Sequence, residues 1–200
     1  IFVFYPNDGT SEIQRLQMAS QQGGNVGVYA VEGNFDDAQT GVKKGFRDPS
    51  VEAQLEERNI RLSSANSINW GRLAPQIVYY VSAYCDLLAN GRCKAGDAFN
   101  VCVPTGNFGN IFAAYIAKRM GLPLAKLVCA SNANCVLTDF FNGGVYNKRR
   151  DFHMTMSPSM DILISSNLER LLCFTAGAEA TVECMAKLNT VGEYSVTEEI

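Results

Sequence analysis

Residues 99–120 carry the feature that most constrains the fold, because a strand pattern there runs through a glycine-containing turn directly into a helical pattern. Residues 99–103 read Phe-Asn-Val-Cys-Val, rich in strand-forming residues, and the turn Pro-Thr-Gly-Asn-Phe-Gly follows. Apolar side chains then recur at helical spacing over 111–116, and Gly121 with Pro123 ends the helix. A strand that leads into a helix in this way is the unit of a parallel α/β sheet.

The remainder of the chain alternates strand and helix patterns. We predict strands at 2–5, 26–31, 60–62 and 124–130, and helices at 11–20, 35–46, 50–58, 71–89, 163–172 and 177–188. Residues 142–152 are rich in turn formers and basic side chains, and we expect an exposed excursion there. The predicted fold is therefore α/β, built of parallel-sheet βαβ layers with helices on both faces.

The turn at 104–110 is also the first candidate site. Gly106 and Gly109 place no side chain between the backbone and a ligand. N–H groups at a helix start lack partners and carry partial positive charge, so they suit a phosphate, although a purely structural turn is the alternative. Polar loops at 63–69 and 131–134 also follow predicted strands. Because the carboxyl ends of parallel strands share one rim, we expect these loops to lie near the turn.

Composition excludes several other classes of function. The net charge of −3 gives no basic surface for nucleic acid, and no apolar run approaches the roughly 20 residues that span a bilayer. Seven cysteines without a CxxC pair, together with a single histidine, indicate reduced thiols and no metal site, which favours the cytoplasm. The chain begins with a bare strand and without methionine, so we expect it to be a piece of a longer protein.

Four separated motifs together resemble the threonine synthase family: GNFDDAQTGVKK at 33–44, SANSINWGRL at 64–73, VPTGNFGN at 103–110 and SPSMDILISSNLERL at 157–171. The resemblance implies a pyridoxal-phosphate enzyme of the fold that includes tryptophan synthase β and serine dehydratase. It implies that residues 1–62 belong to a smaller βαβ subdomain and residues 63–200 to a larger cofactor-binding domain. Such enzymes convert O-phosphohomoserine and water into threonine and phosphate, by γ-elimination followed by β-addition.

The resemblance also assigns residues. It implies that the cofactor's 5′-phosphate is bound by Thr105, Gly106, Asn107, Phe108, Gly109 and Asn110, the first through its hydroxyl. Substrate or cofactor contacts are implied for Asn66, Ser67, Asn69 and Arg72, for which helix capping and an ordinary ion pair are the alternatives. Ser157, Ser159 and Asp161 precede a predicted helix, and a capping role explains them adequately, with a functional role as the alternative.

One departure from the family concerns catalysis. None of the seven lysines, at 43, 44, 94, 118, 126, 148 and 187, has the context of the family's Schiff-base lysine, which we expect upstream of Ile1. We therefore assign no catalytic residue within this chain and expect it to be inactive alone. The alternatives are a related dehydratase or β-replacement enzyme and a threonine-synthase-like protein that binds without catalysis. The oligomeric state is left open.

Overall fold

The computed structural model describes residues 1–7, 10–33, 35–64 and 67–196, and the chain divides into two compact units, Ile1–Ser63 and Ser64–Ile200. Both units mix helices with parallel strands, so the predicted α/β class is confirmed. None of the helices in the described ranges is long and apolar enough to cross a membrane.

The first unit is a small βαβ arrangement. Its elements are β1 (Phe2–Pro6), α1 (Glu12–Ala19), β2 (Gly27–Val31), α2 (Phe35–Arg47) and α3 (Pro49–Glu56). Strands β1 and β2 pair in parallel, with Phe2 opposite Gly27. Helix α1 begins with a capping box, in which Ser11 and Gln14 each satisfy the other's backbone N–H group. The strand predicted at 60–62 is wrong, since these residues form no strand.

The second unit holds the predicted strand–turn–helix. Its elements are α4 (Trp70–Leu73), α5 (Ile77–Ala89), β3 (Phe99–Pro104), α6 (Gly109–Arg119), β4 (Leu124–Ala130), α7 (Val136–Gly143), β5 (Val145–Asn147), α8 (Leu168–Ala176), α9 (Ala178–Thr190) and β6 (Glu193–Ser195). Strands β3 and β4 pair in parallel, with Pro104 opposite Ala130. Their carboxyl ends therefore lie side by side, and the loops that follow them leave from the same edge.

Helix α6 lies in the centre of the core of the second unit. Ile111, Phe112, Ala113 and Ala114 near its start are all at most 3% exposed. Burial on this scale fixes the start of α6, because each buried side chain of this kind stabilises the fold by roughly 1.5–3 kcal/mol when it is large. The turn that precedes α6 is thus attached to a rigid element.

Three local predictions differ from the structure. The helix predicted at 71–89 is interrupted by a 3₁₀ turn at Ala74–Gln76, where Pro75 cannot donate a helical hydrogen bond. The helix predicted at 163–172 begins only at Leu168. The excursion predicted at 142–152 contains β5, which pairs with β6 and buries Tyr146. That pairing joins positions almost 50 residues apart, so no local pattern could indicate it.

Candidate functional site

The turn between β3 and α6 is compact and largely buried. The N–H group of Thr105 completes the sheet by donating to the carbonyl of Ala130 at 2.8 Å. Phe108 is the N-cap of α6 and adopts the left-handed conformation, with φ of 64°. Its ring is 4% exposed and stacks on Phe141 at a centroid distance of 5.7 Å. This packing holds a non-glycine residue in a conformation that is otherwise unfavourable.

The backbone N–H groups of residues 106–111 form an uninterrupted series of donors that have no partner among the described residues. Within the described part of the chain, none of them donates a hydrogen bond to the backbone or to a side chain. The last three belong to the first turn of α6, where N–H groups ordinarily lack partners, but the first three precede the helix. A helix start ordinarily leaves four N–H groups without partners, whereas the start of α6 presents six in succession, with the positive end of the helix dipole behind them.

The two glycines of the turn make room for protein neighbours. A β-carbon on Gly106 would lie 3.1 Å from Ile162 and 3.2 Å from the carbonyl oxygen of Ser159. A β-carbon on Gly109 would lie 2.5 Å from the β-carbon of Ser67 and 2.6 Å from its hydroxyl. The sequence suggested that both glycines face a ligand. In the structure, the position that a side chain would occupy at each glycine faces the segments that enclose the turn.

Asn167 joins the turn to the 67–70 segment. Its side chain is completely buried, and Nδ2 donates to the hydroxyl of Ser67 at 2.8 Å and to the carbonyl of Asn107 at 2.9 Å. The Asn167 N–H group donates to the same carbonyl at 3.1 Å. The predicted proximity of the loop at 63–69 to the turn is thus observed for Ser67.

Arg170, one turn further along α8, stabilises the same contact between the turn and the 67–70 segment. Its guanidinium donates to Oδ1 of Asn167 and to the carbonyls of Ser67, at 3.1 Å, and Ile68. It also lies over the ring of Trp70, 6.0 Å from the centroid. A planar guanidinium can satisfy three acceptors at once, so this one side chain fixes both Asn167 and the 67–70 segment.

Two hydroxyl groups hold the other side of the turn. Ser165 donates through Oγ to the carbonyl of Gly106 at 2.7 Å and is itself buried. Its N–H group donates at 2.8 Å to the hydroxyl of Tyr146, which in turn donates to the carbonyl of Leu163 at 3.0 Å. Burial raises the pKa of Tyr146 to about 12, so its hydroxyl keeps its proton at neutral pH.

The side chains predicted to contact a cofactor are partly engaged within the protein. Thr105 donates its hydroxyl proton to the carbonyl of Val103 at 2.7 Å. Asn110 accepts from the hydroxyl of Tyr80 at 2.6 Å and donates to Gln76 at 2.9 Å. Asn107 differs, because its Oδ1 accepts from Ser166 at 3.3 Å while its Nδ2 donates to no acceptor in the described residues.

The residues predicted in the 66–72 segment have separate roles. Asn66 lies outside the described residues. Asn69 is the N-cap of α4, where its side chain accepts from the N–H group of Gly71 at 3.0 Å, which is the capping alternative. Arg72 is exposed, and it forms no salt bridge within the described ranges.

The loop after β4 is tied to the 153–161 segment by a polar network. Asn132 and Asn134 both donate to the carboxylate of Asp161, at 2.7 and 3.1 Å. Thr155 donates to it twice, through N–H at 2.8 Å and through its hydroxyl at 2.7 Å. Desolvation raises the pKa of Asp161, but these hydrogen bonds outweigh it and leave that pKa below its usual value. Asp161 is therefore a structural carboxylate and caps no α-helix.

No lysine hydrogen bond among the described residues reaches the turn at 105–111. The six lysines whose side chains are described are exposed or half-buried, and the lysine hydrogen bonds given by the structure go to the carbonyl of Ala125, from Lys118, and to Glu183, from Lys187. Among the described residues, no group of three or more histidine, cysteine or acidic side chains could hold a metal ion.

Sequence reasoning did not assign the residues that support the turn from behind, namely Tyr80, Ser165, Asn167 and Arg170. Residues 165–167 lie inside the helix predicted at 163–172, so their pattern indicated no contact with the turn. Burial of a polar asparagine is a tertiary property, and no spacing rule predicts it.

Comparisons with known proteins agree on one family. No family model matches the chain. The chain is 43% identical over 201 aligned positions to threonine synthase from Pseudomonas aeruginosa, covering all of this chain and 40% of that protein. It is 49% identical over 181 residues to human threonine synthase-like 1, covering 90% of this chain and 24% of that protein.

A solved structure supports the same relationship. The crystal structure of pyridoxal-phosphate-bound threonine synthase from Brucella melitensis superposes with a TM-score of 0.85 at 44% identity, over all of this chain and 41% of that one. The chain thus spans between 24% and 41% of the length of these relatives.

Proposed function

Because this chain belongs to the threonine synthase family, we propose that its second unit, Ser64–Ile200, contributes the phosphate-binding part of a pyridoxal 5′-phosphate site and that Ile1–Ser63 belongs to the smaller subdomain. The phosphate group would be held by the turn at 105–110. The observation that carries this proposal is the run of backbone N–H groups at 106–111 that lack acceptors among the described residues.

A phosphate dianion fits these groups for two physical reasons. It offers several acceptor oxygens to donors that otherwise stay unsatisfied in a largely buried turn. Its negative charge is also favourable at the start of an 11-residue helix, where the dipole adds typically 0.3–1 kcal/mol per charge. Bound pyridoxal phosphate supplies an electron sink for carbanion chemistry, and the part of this chain is to bind and orient it.

The individual residues would contribute unequally. Gly106, Phe108 and Gly109 would donate through backbone N–H groups, and Asn110 likewise, because its side chain is held by Tyr80 and Gln76. Asn107 would donate through its N–H group and through the Nδ2 atom that has no acceptor in the described residues. Thr105 would border the phosphate at the N-terminal end of the turn without donating its hydroxyl proton, because that proton is already donated to the carbonyl of Val103.

For the whole family member we propose the conversion of O-phosphohomoserine and water into threonine and phosphate, in the cytoplasm. Similarity to threonine synthases supports this reaction, and free thiols at all seven cysteines support the compartment.

We propose substrate contacts for Asn66, Ser67, Asn69 and Arg72, of which Ser67 is supported by its position against Gly109. We propose that the lysine joined to the cofactor is none of the seven in this chain, so that these 200 residues alone do not turn over.

Two measurements on a full-length family member carrying these residues test the proposal. Assay with O-phosphohomoserine should release threonine and phosphate in equal amounts. Phosphate without threonine would indicate an eliminating dehydratase, and neither product would indicate a binding protein. Borohydride reduction of the cofactor-loaded protein, followed by peptide mass mapping, should label a lysine outside this chain. Labelling of any of the seven lysines here would contradict the assignment.

A further inference from the structure

We propose that Ser165 and Asn167 are positioning residues that set the direction in which the N–H groups of the turn point. The proposal rests on the phosphate site proposed above and assigns to that site two residues that do not contact the phosphate themselves. It explains why a fully buried asparagine stands behind the turn.

The argument begins with the carbonyl groups of the turn. The carbonyl of Gly106 accepts from Oγ of Ser165 at 2.7 Å, and the carbonyl of Asn107 accepts from Nδ2 of Asn167 at 2.9 Å and from its N–H group at 3.1 Å. The next carbonyl, that of Phe108, accepts from the N–H group of Phe112 within α6 at 3.0 Å. Three successive carbonyls of the turn are therefore each held by a donor elsewhere in the protein.

The directions of these carbonyl groups determine the directions of the N–H groups that follow them in the chain. The chain contains no cis peptide bond among its described residues, and in a trans peptide the carbonyl of one residue points opposite to the N–H group of the next. Holding the carbonyls of Gly106 and Asn107 toward residues 165–167 turns the N–H groups of Asn107 and Phe108 the other way. The helical bond from Phe112 does the same for the N–H group of Gly109.

The geometry of Asn167 favours this role over simple helix capping. Asn167 is the N-cap of α8, yet its side chain forms no capping hydrogen bond with that helix. Its Oδ1 instead accepts from Arg170, which leaves Nδ2 directed at Asn107 and Ser67. A buried amide is retained at a desolvation cost, and here the two shortest bonds that its Nδ2 donates go to the turn, at Asn107, and to Ser67 beside it.

The test compares two neutral substitutions, Asn167→Ser and Ser165→Ala, with the control Thr181→Val. Thr181 is also buried, and Val removes its 2.7 Å bond to the carbonyl of Gly177, the N-cap of α9. The hydrogen bonds given for Thr181 and Gly177 do not reach residues 105–111. Calorimetry on the full-length family member would measure binding of 4-deoxypyridoxine 5′-phosphate and of 4-deoxypyridoxine. Neither compound has an aldehyde, so neither reacts with lysines.

The expected readout is the affinity gained from the phosphate group, which a loss of stability alone would not change. Each positioning variant should bind the phosphorylated compound about tenfold more weakly and the unphosphorylated compound unchanged, whereas Thr181→Val should resemble the wild type in both.

If the wild type binds both compounds equally, the phosphate site itself is wrong and this proposal fails with it. If the wild type prefers the phosphorylated compound and both variants keep that preference, only the positioning role is overturned. An equal loss of affinity for the phosphorylated compound in Thr181→Val would also overturn the positioning role. Should Asn167→Ser fail to fold, Ser165→Ala decides alone.

Discussion

The hydroxyl oxygen of Ser67 lies 2.6 Å from the point at which a β-carbon on Gly109 would stand. These residues are 42 positions apart, and the contact closes the 67–70 segment over the first residue of α6. Gly109 has no positive φ, so the need for glycine at this position is one of space and not of backbone conformation.

Gly109→Ala should therefore destabilise the protein by about 1–3 kcal/mol, because a methyl group would displace Ser67 and disturb its bond to Asn167. Urea unfolding followed by circular dichroism measures the change. Gly143→Ala at the end of α7 is the matched control, since a β-carbon there has nothing within 4 Å. Equal stability of the two variants would show that the close approach of Ser67 is wrong.

Arg170→Lys should loosen the junction between α8 and the 67–70 segment. A lysine cannot reproduce the planar set of donors to Asn167, Ser67 and Ile68, and we expect a loss of about 1–3 kcal/mol. Trp70 is the single tryptophan of the chain and lies beside this guanidinium, so its fluorescence should change. Arg119→Lys, which alters an exposed arginine over Tyr115, should leave that fluorescence unchanged.

Because of its buried tyrosines, the folded protein should become less stable at alkaline pH. Burial raises the pKa of Tyr80 and of Tyr146 to about 12, and it also raises the pKa of Tyr194. Between roughly pH 10 and 12 the unfolded chain loses these protons while the folded chain keeps them, so the free energy of unfolding falls as pH rises. Below pH 10 this contribution is fully present.

Tyrosine absorbance near 295 nm, followed over this pH range, measures the ionisation of the tyrosines. Urea unfolding over the same range measures the free energy of unfolding that is linked to it. Tyr146→Phe should make the decline in stability shallower. Tyr79→Phe is the control, because Tyr79 is 61% exposed and should leave the slope unchanged. A decline of equal steepness in both variants would contradict the assigned burial.

Asp161 should contribute stability that is lost in acid. Its hydrogen bonds lower its pKa below the usual value near 4, so the folded protein binds this proton less readily than the unfolded chain. The contribution is present above about pH 4 and declines as pH falls through the lowered pKa. Asp161→Ala should cost about 1–3 kcal/mol at pH 7 and less at pH 3, measured by urea unfolding. Asp151→Ala, at an exposed aspartate, should cost little at either pH.

How much could be predicted from the sequence depended on the range of the interactions. The unit formed by β3, the turn and α6 is predictable because its signals all lie within residues 99–123. The β5–β6 pair and the late start of α8 depend on partners that are distant in sequence, and they were not predicted. The same holds at the site. The glycines were visible as a motif, but their neighbours Ser67 and Ile162 were not, so the side that each glycine presents to the protein could only come from the fold.

Amide resonances test the central claim most directly. In ¹⁵N-labelled full-length protein titrated with 4-deoxypyridoxine 5′-phosphate, the largest shifts should fall on the N–H groups of residues 106–111, and they should saturate together. The unphosphorylated compound should not reproduce them. If the phosphorylated compound binds and its largest shifts lie elsewhere, with residues 106–111 unmoved, the turn does not hold the phosphate and the account is contradicted.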